Sequence, residues 1–487
     1  MRSTLLSLLL GAGGSIMPSM AQTPTLLKDI NPSGASNVAH LTCIDGTVYF
    51  QASDGVHGAE IWKSDGTTNG TVMVKDLQPG ADGSFPKDFM AVNGSIYFTT
   101  NDLSNGVRLW RTDGTENGTE LALTLADVPG LLEWISFVPL GDRIFFRGHE
   151  TTTGRELWST NGTPGGTQLF MDIHPGTMNS GFQNPMAHDG KIYFSASDGT
   201  NGTEPWISDG TIAGTHMIAE TIPGPGSSGT NPSNFTAAGG LVFFRAGTSA
   251  TGDELWATDG TEAGTGLVRD LYPGSNSSLP SFLTEHNGAV YLRGFNFSGN
   301  YIWTSDGTTE GTVQLPIPTN GYSLAENLCS HAGGLYFTGY NGTSRQLWRT
   351  DGTAEGTQEI LVPGSDVAQP LDLSGPLRSC DGQLFFRANY TSSVGQELYT
   401  LNTSTAIDHS ERPTVQLYPN PASDVLSLSG HHPDATLELH STDGRVALSI
   451  PAAARMNISS LSPGMYVARI VDGAGGTVHQ QKVLIER

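Results

Sequence analysis

Five glutamates, Glu60, Glu156, Glu204, Glu254 and Glu397, each stand two residues before an aromatic side chain. Paired carboxylates are the machinery of glycoside hydrolysis, so these acids are the first candidates for chemistry. They occupy equivalent sites of separate repeats, however, too far apart to act as a catalytic pair. Each is expected to accept a hydrogen bond from a neighbouring strand or from an indole. A second set comprises His188, His286, His331 and Cys380, which share one equivalent position with Ile44, Val92, Leu140 and Ala238. Imidazole and thiolate are zinc ligands, but apolar residues at the other four places point to packing, and no metal is assigned there. Loops such as "DGTTNGT" (65–71) resemble part of a calcium loop and lack the closing bidentate Glu. No cofactor is assigned, and calcium in a few of these loops stays open. Trp134, in "GLLEWISF", stands off the repeat, where it either stacks on a sugar or fills a packing gap; Glu133 beside it is an exposed loop acid or a polar ligand contact. P-loop, nucleophile-elbow, zincin, C-x-x-C and EF-hand spacings are absent, and no catalytic residue is named.

The elements that position these groups follow from the repeat. Trp62, Trp110, Trp158, Trp206, Trp256, Trp303 and Trp348, with Tyr399 as the eighth member, recur 45 to 51 residues apart. Each unit holds four short runs rich in Val, Ile, Tyr, Phe and Thr, separated by Asp-Gly or Gly-Thr punctuation. Eight such units in the forties describe an eight-bladed β-propeller, with a linear solenoid as the competitor. The opening "TLLKDINPSG" matches the last strand of a unit, and the final unit, ending "QELYTLN", lacks that strand. Residues 26–30 are therefore expected to complete the eighth blade and close the ring, which removes two exposed sheet edges. Each Trp should wedge between neighbouring blades, and the Asp-Gly that follows should form the turn. A motif present in nearly every blade is scaffold, whereas catalysis needs an asymmetric constellation.

Closure bears on the cysteines. The chain has three, Cys43, Cys329 and Cys380. Cys43 lies in the first unit and Cys380 in the eighth, so a Cys43–Cys380 disulfide would pin the seam in an oxidising compartment. Cys329–Cys380 is the rival pair. Adjacent strand positions point to opposite faces, so either bond needs favourable twist.

Totals limit the partners. Against 24 basic side chains stand 47 acidic ones, a net charge of -23, which argues against nucleic acid or an anionic membrane surface. Residues 1–21, with Arg2, the apolar "LLSLLLGAGG" and "SMA", read as a secretory signal peptide. No other stretch has the apolar length of a transmembrane helix.

The repeats of 22–403 resemble those of exported bacterial proteins built from tandem "ELWxTDGTxxGT" units, whose activity is generally unassigned. The likeness to the sialidase Asp-box is loose, because here the Trp precedes the turn, and no sialidase chemistry is implied. After a polar linker at 404–413 the pattern changes. Residues 414–487 alternate as a small Ig-like β-sandwich of about seven strands. They carry "YPNPASD" (Tyr418, Pro419, Asn420, Pro421 and Asp424), "STDGR" (Asp443, Gly444 and Arg445), "LSPGMYV" (Gly464 and Tyr466) and the terminal "KVLIER". This module resembles the type A C-terminal sorting domain of the type IX secretion system of Bacteroidetes. The resemblance implies Sec export, recognition by the outer-membrane translocon, and removal by a sortase with release or attachment at the surface. The expected function is a non-enzymatic surface or secreted propeller that binds a glycan or a protein, as in adhesion. The alternatives are an extracellular polysaccharide-active enzyme and a structural matrix component.

Overall fold

A computed structural model describes residues 23–102, 106–222, 229–316, 323–362, 375–402, 416–418, 425–429, 436–441, 445–451, 455–471 and 477–485. The signal peptide, the linker and Pro419, Asn420, Pro421, Asp424, Asp443 and Gly444 lie outside the described residues, as does the side chain of Tyr418. The chain is all-β and divides into two compact units, Met1–Ser404 and Thr405–Arg487.

The described residues of the first unit form eight four-stranded antiparallel sheets. Their first strands are Ala39–Ile44, Lys87–Val92, Glu133–Leu140, Gln183–His188, Ser233–Ala238, Ser281–His286, Ser323–His331 and Arg378–Cys380, and the sheets are numbered 1 to 8 in that order. Sheets 1 to 7 are each built from four consecutive strands, as in Ala39–Ile44, Thr47–Ser53, Ala59–Ser64 and Val72–Lys75 of sheet 1. Sheet 8 takes three strands from 378–402, and its fourth is Thr25–Lys28, paired antiparallel with Glu397–Asn402.

The middle strands are apolar at successive positions because both of their faces are covered. In Thr47–Ser53, Val48, Phe50 and Ala52 are fully buried, and Tyr49, on the other face, is buried too. Burial on both faces replaces polar alternation with a near-continuous apolar run. Eight separate cores result, each shared by two sheets. Trp110 of sheet 2 packs with Tyr49 and Ile61 of sheet 1. Trp158 of sheet 3 packs with Tyr97 and Leu109 of sheet 2. The pattern continues to Tyr399 of sheet 8, which joins Tyr336 and Leu347 of sheet 7. Trp62 of sheet 1 then joins Phe385 and Leu398 of sheet 8.

First strands also pack against first strands in sequence, and Arg378–Cys380 packs against Ala39–Ile44. Each of the first seven bulges at one equivalent residue, His40, Asp88, Ser136, Asn184, Asn234, Phe282 or Asn327, which adopts a left-handed φ of 53° to 59°. The ladder skips register there, as an inserted residue requires.

The second unit has seven described strands in two sheets, three-stranded and four-stranded. Leu426, Leu437, Leu439, Met456, Ile458, Ile470 and Val483 are among the residues of its core.

Candidate functional site

The corner motif is a closed hydrogen-bond system. In sheet 2, Asp113 Oδ1 accepts from Thr115 N–H at 2.8 Å and from Thr115 Oγ1 at 2.7 Å. Thr115 Oγ1 accepts from Gly118 N–H at 3.0 Å, and Thr119 Oγ1 donates to the Thr115 carbonyl at 2.6 Å. Thr112 Oγ1 bonds Thr119 Oγ1 at 2.7 Å and accepts from Gly114 N–H at 2.9 Å. Both glycines are required: Gly114 has φ 87°, and a Cβ on Gly118 would stand 2.1 Å from the Asp113 carboxylate. The same threonine-to-acid bond recurs at Asp65, Asp209, Asp259, Asp306 and Asp351, and at Asn161 the amide oxygen accepts in place of a carboxylate. Bonds from the threonine hydroxyl and N–H hold Asp113, Asp209 and Asp259 below the usual carboxylate range. These loops organise themselves by donating hydrogens to the acid, the opposite of presenting oxygens to a cation. Among the described residues, no group of three or more His, Cys, Asp or Glu could hold a metal ion.

The five repeated glutamates are fully buried, and their partners correct one expectation. Among the described residues, none of their hydrogen bonds comes from an indole. Each carboxylate holds the loop that leaves the fourth strand of its sheet. Glu60 accepts from Leu77 N–H at 3.0 Å, from Ser84 N–H at 3.0 Å and from Ser84 Oγ at 2.6 Å. Glu254 does the same with Leu271 and Ser278, and Glu156 with Ile173, His174 and Ser180. Glu397 holds Ile30 and Asn31, so the N-terminal segment supplies the loop of sheet 8. Three of the repeated indoles donate to the second strand: Trp110 Nε1 to Thr100 Oγ1 at 3.0 Å, and Trp303 and Trp348 to carbonyls at 3.3 Å. Burial pushes Glu60 and Glu156 up to about 7, against the opposing effect of the hydrogen bonds they accept. Glu204, Glu254 and Glu397 are raised for the same reason.

The His/Cys position serves as a stitch between sheets. His286 Nδ1 meets Ser330 Oγ of sheet 7 at 2.8 Å, and His331 Nδ1 meets Ser379 Oγ of sheet 8 at 2.8 Å. Burial pushes His331 down to about 4, so its ring is neutral at pH 7. Cys380 of sheet 8 is joined to Cys43 of sheet 1 by a disulfide. In all three pairs the last residue of one first strand reaches the penultimate residue of the next. His188 is exposed. Cys329 carries a free thiol that burial holds above its ordinary value.

Trp134 is corrected as a ligand contact. It is fully buried, donates to the Val107 carbonyl at 3.2 Å, and lies edge-on to Phe137 and Phe146. No sugar ring reaches it, and it fills the core between sheets 2 and 3. Glu133 is a strand residue rather than a loop acid, and it is half-buried. It accepts from Arg155 Nη2 at 2.8 Å, which holds its carboxyl below the usual range.

In the second unit the described motif residues support the fold. The Arg445 carbonyl accepts from Ser441 N–H at 2.9 Å and from Ser441 Oγ at 3.0 Å, and Tyr466 is buried and donates to the Ser462 carbonyl at 3.0 Å. Gly464 opens the strand Gly464–Val471 that carries Tyr466. Residues 416–486 match the secretion system C-terminal sorting domain. This tail indicates export, interaction with the type IX secretion machinery, and a secreted or cell-surface location. No helix among the described residues is long and apolar enough to cross a membrane.

No curated protein matches the chain. Among solved structures, PorZ, an essential bacterial surface component of the type-IX secretion system of Porphyromonas gingivalis, is 12% identical. It covers 91% of this chain and 64% of its own, with a TM-score of 0.42. A puromycin hydrolase is 13% identical, covering 76% of this chain and 60% of its own at a TM-score of 0.45. A prolyl endopeptidase is 11% identical over 69% of this chain and 51% of its own, with a TM-score of 0.48. The chain spans from about half to just under two thirds of these structures. Likeness at this level says nothing of activity.

Proposed function

We propose that the eight sheets are blades of a closed β-propeller, completed by the N-terminal strand, and that this ring is a non-enzymatic binding or adhesion module. It would be delivered by type IX secretion and then released or held at the cell surface. In this reading residues 1–21 are the signal peptide, 22–403 the ELWxTDGT-repeat propeller, 404–413 the linker, and 414–487 a sorting domain that a sortase removes. The observation that carries it is the sorting-domain match at 416–486. Closure is supported by the cores, which run sheet to sheet and return from sheet 8 to sheet 1. Binding is supported by the fate of the repeated polar groups. Corner acids, buried glutamates and the histidine stitches are bonded within the scaffold, so the surface left for a partner is the residues that depart from the repeat.

The test has two parts. The full chain and a chain lacking 416–486 are expressed in a bacterium with a type IX system, and surface and medium fractions are assayed. The reading expects the truncated chain to remain inside the outer membrane. Secreted protein is then offered immobilised polysaccharides and cell-surface proteins, with reducing ends measured in parallel. Retention without new reducing ends is the expected result; product release would replace the binding reading with an enzyme.

A further inference from the structure

The loop end of sheet 6 departs from the repeat in several ways at once. The hairpin between the second and third strands varies around the unit: it reads "DGVHG" (54–58) in sheet 1 and "DGTNG" (198–202) in sheet 4, follows neither pattern in the other sheets, and reads "NFSGN" (296–300) in sheet 6, where it puts a Phe at the tip. Phe297 at its tip is 72% exposed, the most exposed large apolar residue of the described chain. Its ring meets Tyr272 edge-on, with centroids 4.6 Å apart. Sheet 6 also has Tyr301 where five other sheets have the buried glutamate.

Strain gathers at the same end. Leu279 is exposed with φ 50°, and Phe282 has φ 55° where the equivalent residues are His40, Asp88, Ser136, Asn184, Asn234 and Asn327. Those six are polar types that tolerate or bond within a left-handed turn, whereas a bulky apolar residue there is strained. The hairpin is nevertheless firmly held. Ser298 N–H donates to Asn296 Oδ1 at 2.8 Å, Asn296 Nδ2 donates to Gln314 Oε1 at 2.9 Å, and the Tyr301 hydroxyl donates to the Ser298 carbonyl at 3.1 Å. Phe295 N–H donates to the Ser278 carbonyl at 2.8 Å, tying hairpin to loop.

We propose that Phe297, braced edge-on by Tyr272, presents a preorganised ring face that stacks on a pyranose ring of a neutral polysaccharide. The inference rests on the binding reading above and gives it a place and a ligand class. Flat aromatic surface presented at a rigid, exposed tip suits the apolar face of a sugar ring, and ordering it beforehand removes part of the entropic cost of association. Charge selects the class. The three basic side chains of sheets 5 and 6 are committed: Arg245 to Asp253, Arg269 to the carbonyls of Thr309 and Thr312, and Arg293 to Glu326 at 2.7 Å. Among the described residues of sheets 5 and 6, two of the three arginines are paired with carboxylates and the third is held by carbonyls, and the net charge is -23, so uronate or sulfated chains meet net repulsion that a neutral chain does not.

The experiment measures binding isotherms of the secreted protein on microcrystalline cellulose, chitin, starch granules and insoluble mannan. Alginate- and pectate-coated beads form the anionic arms. Phe297→Ala and Tyr272→Ala are compared with Phe85→Ala, which removes an exposed apolar residue at the equivalent of Leu279 beside sheet 2. Retention is expected on at least one neutral polysaccharide, weakened about ten-fold or more by Phe297→Ala, as for an aromatic anchor, and unchanged by Phe85→Ala. Three results would overturn the platform: neutral binding that Phe297→Ala leaves intact, equal loss with Phe85→Ala, or retention confined to the anionic beads. The first of these keeps the binding reading and moves its site. Absence of glycan retention overturns the platform as well, and leaves the broader reading to its protein arm.

Discussion

The contact between sheets 8 and 1 and the contact between sheets 2 and 3 bury the same kind of core, an aromatic of one sheet wedged against the other. Trp62 does this at the first, and Trp158 at the second. They differ in what surrounds the wedge. Between sheets 2 and 3, Val92 and Trp134 add apolar packing, and the Trp134 indole reaches the Val107 carbonyl. Between sheets 8 and 1, Cys380 is bonded to Cys43, Arg378 Nε donates to the Leu41 carbonyl at 3.0 Å, and Arg387 Nη1 donates to the Val38 carbonyl at 3.2 Å. The equivalents of the Leu41 carbonyl in sheets 6 and 7 are served by Thr236 and Thr284. The chain runs directly from sheet 2 into sheet 3, so fraying there is limited by connectivity. Sheets 8 and 1 bring together segments from opposite ends of the unit, and the stronger ties lie where connectivity does least.

The sharpest way to break this comparison is to cut the seam. Cys43→Ser with Cys380→Ser opens a link between residues 337 apart, and chain entropy sets the loss at up to about 5 kcal/mol. Denaturant unfolding should show that loss, while Cys329→Ser should stay within about 1 kcal/mol. Equal effects would remove the seam's special standing.

Next in size are the loop-holding glutamates. Glu397→Ala and Glu156→Ala each strand buried N–H groups, a cost of about 3 kcal/mol. Glu397→Ala should additionally expose residues 23–38 to limited proteolysis, because it releases the segment that supplies the fourth strand of sheet 8. Matching cleavage in both variants would contradict the reading. At the ordinary junction, Trp134→Phe should cost about 1–2 kcal/mol from the lost volume and hydrogen bond and leave glycan retention unchanged. A selective loss of retention would restore Trp134 as a ligand contact.

The gentlest probe treats seam and interior alike. The fold raises all five glutamates, so it binds their protons more tightly than the unfolded chain does. For Glu60 and Glu156 the stabilising contribution is complete below about pH 4.5 and is lost as pH climbs through about 7, and the other three act in the same direction. The melting temperature should therefore rise by a few degrees from pH 8 to pH 5. Below about pH 4 the trend should reverse, because Asp113, Asp209 and Asp259 are held low and lose their contribution on protonation. Glu156→Gln should flatten the upper part of the profile, and an unchanged slope would count against the assignment.

Legibility followed repetition. The all-β character and the sorting tail show in the sequence because their signals recur or run in a fixed order. Trp134 occurs once, and the bulge at Ser136 that accompanies its burial leaves no mark on sequence alternation. The glutamates' partners were hidden for a different reason: most are backbone N–H groups, 17 to 24 residues downstream for Glu60 and at the opposite end of the unit for Glu397, and backbone groups carry no residue signature. The cysteines show the limit of strand parity. Their positions differ by one, which suggests opposite faces, yet the contact between sheets runs obliquely, and His286 with Ser330 and His331 with Ser379 make it in the same way. Phe297 lies in a hairpin whose sequence varies from sheet to sheet, so only its exposure singles it out.

The most direct test of the clasped seam is mass spectrometry of unreduced peptides from secreted protein, alkylated before digestion. The account requires a Cys43–Cys380 linked pair with Cys329 alkylated. A Cys329–Cys380 link, or three alkylated thiols, would contradict it.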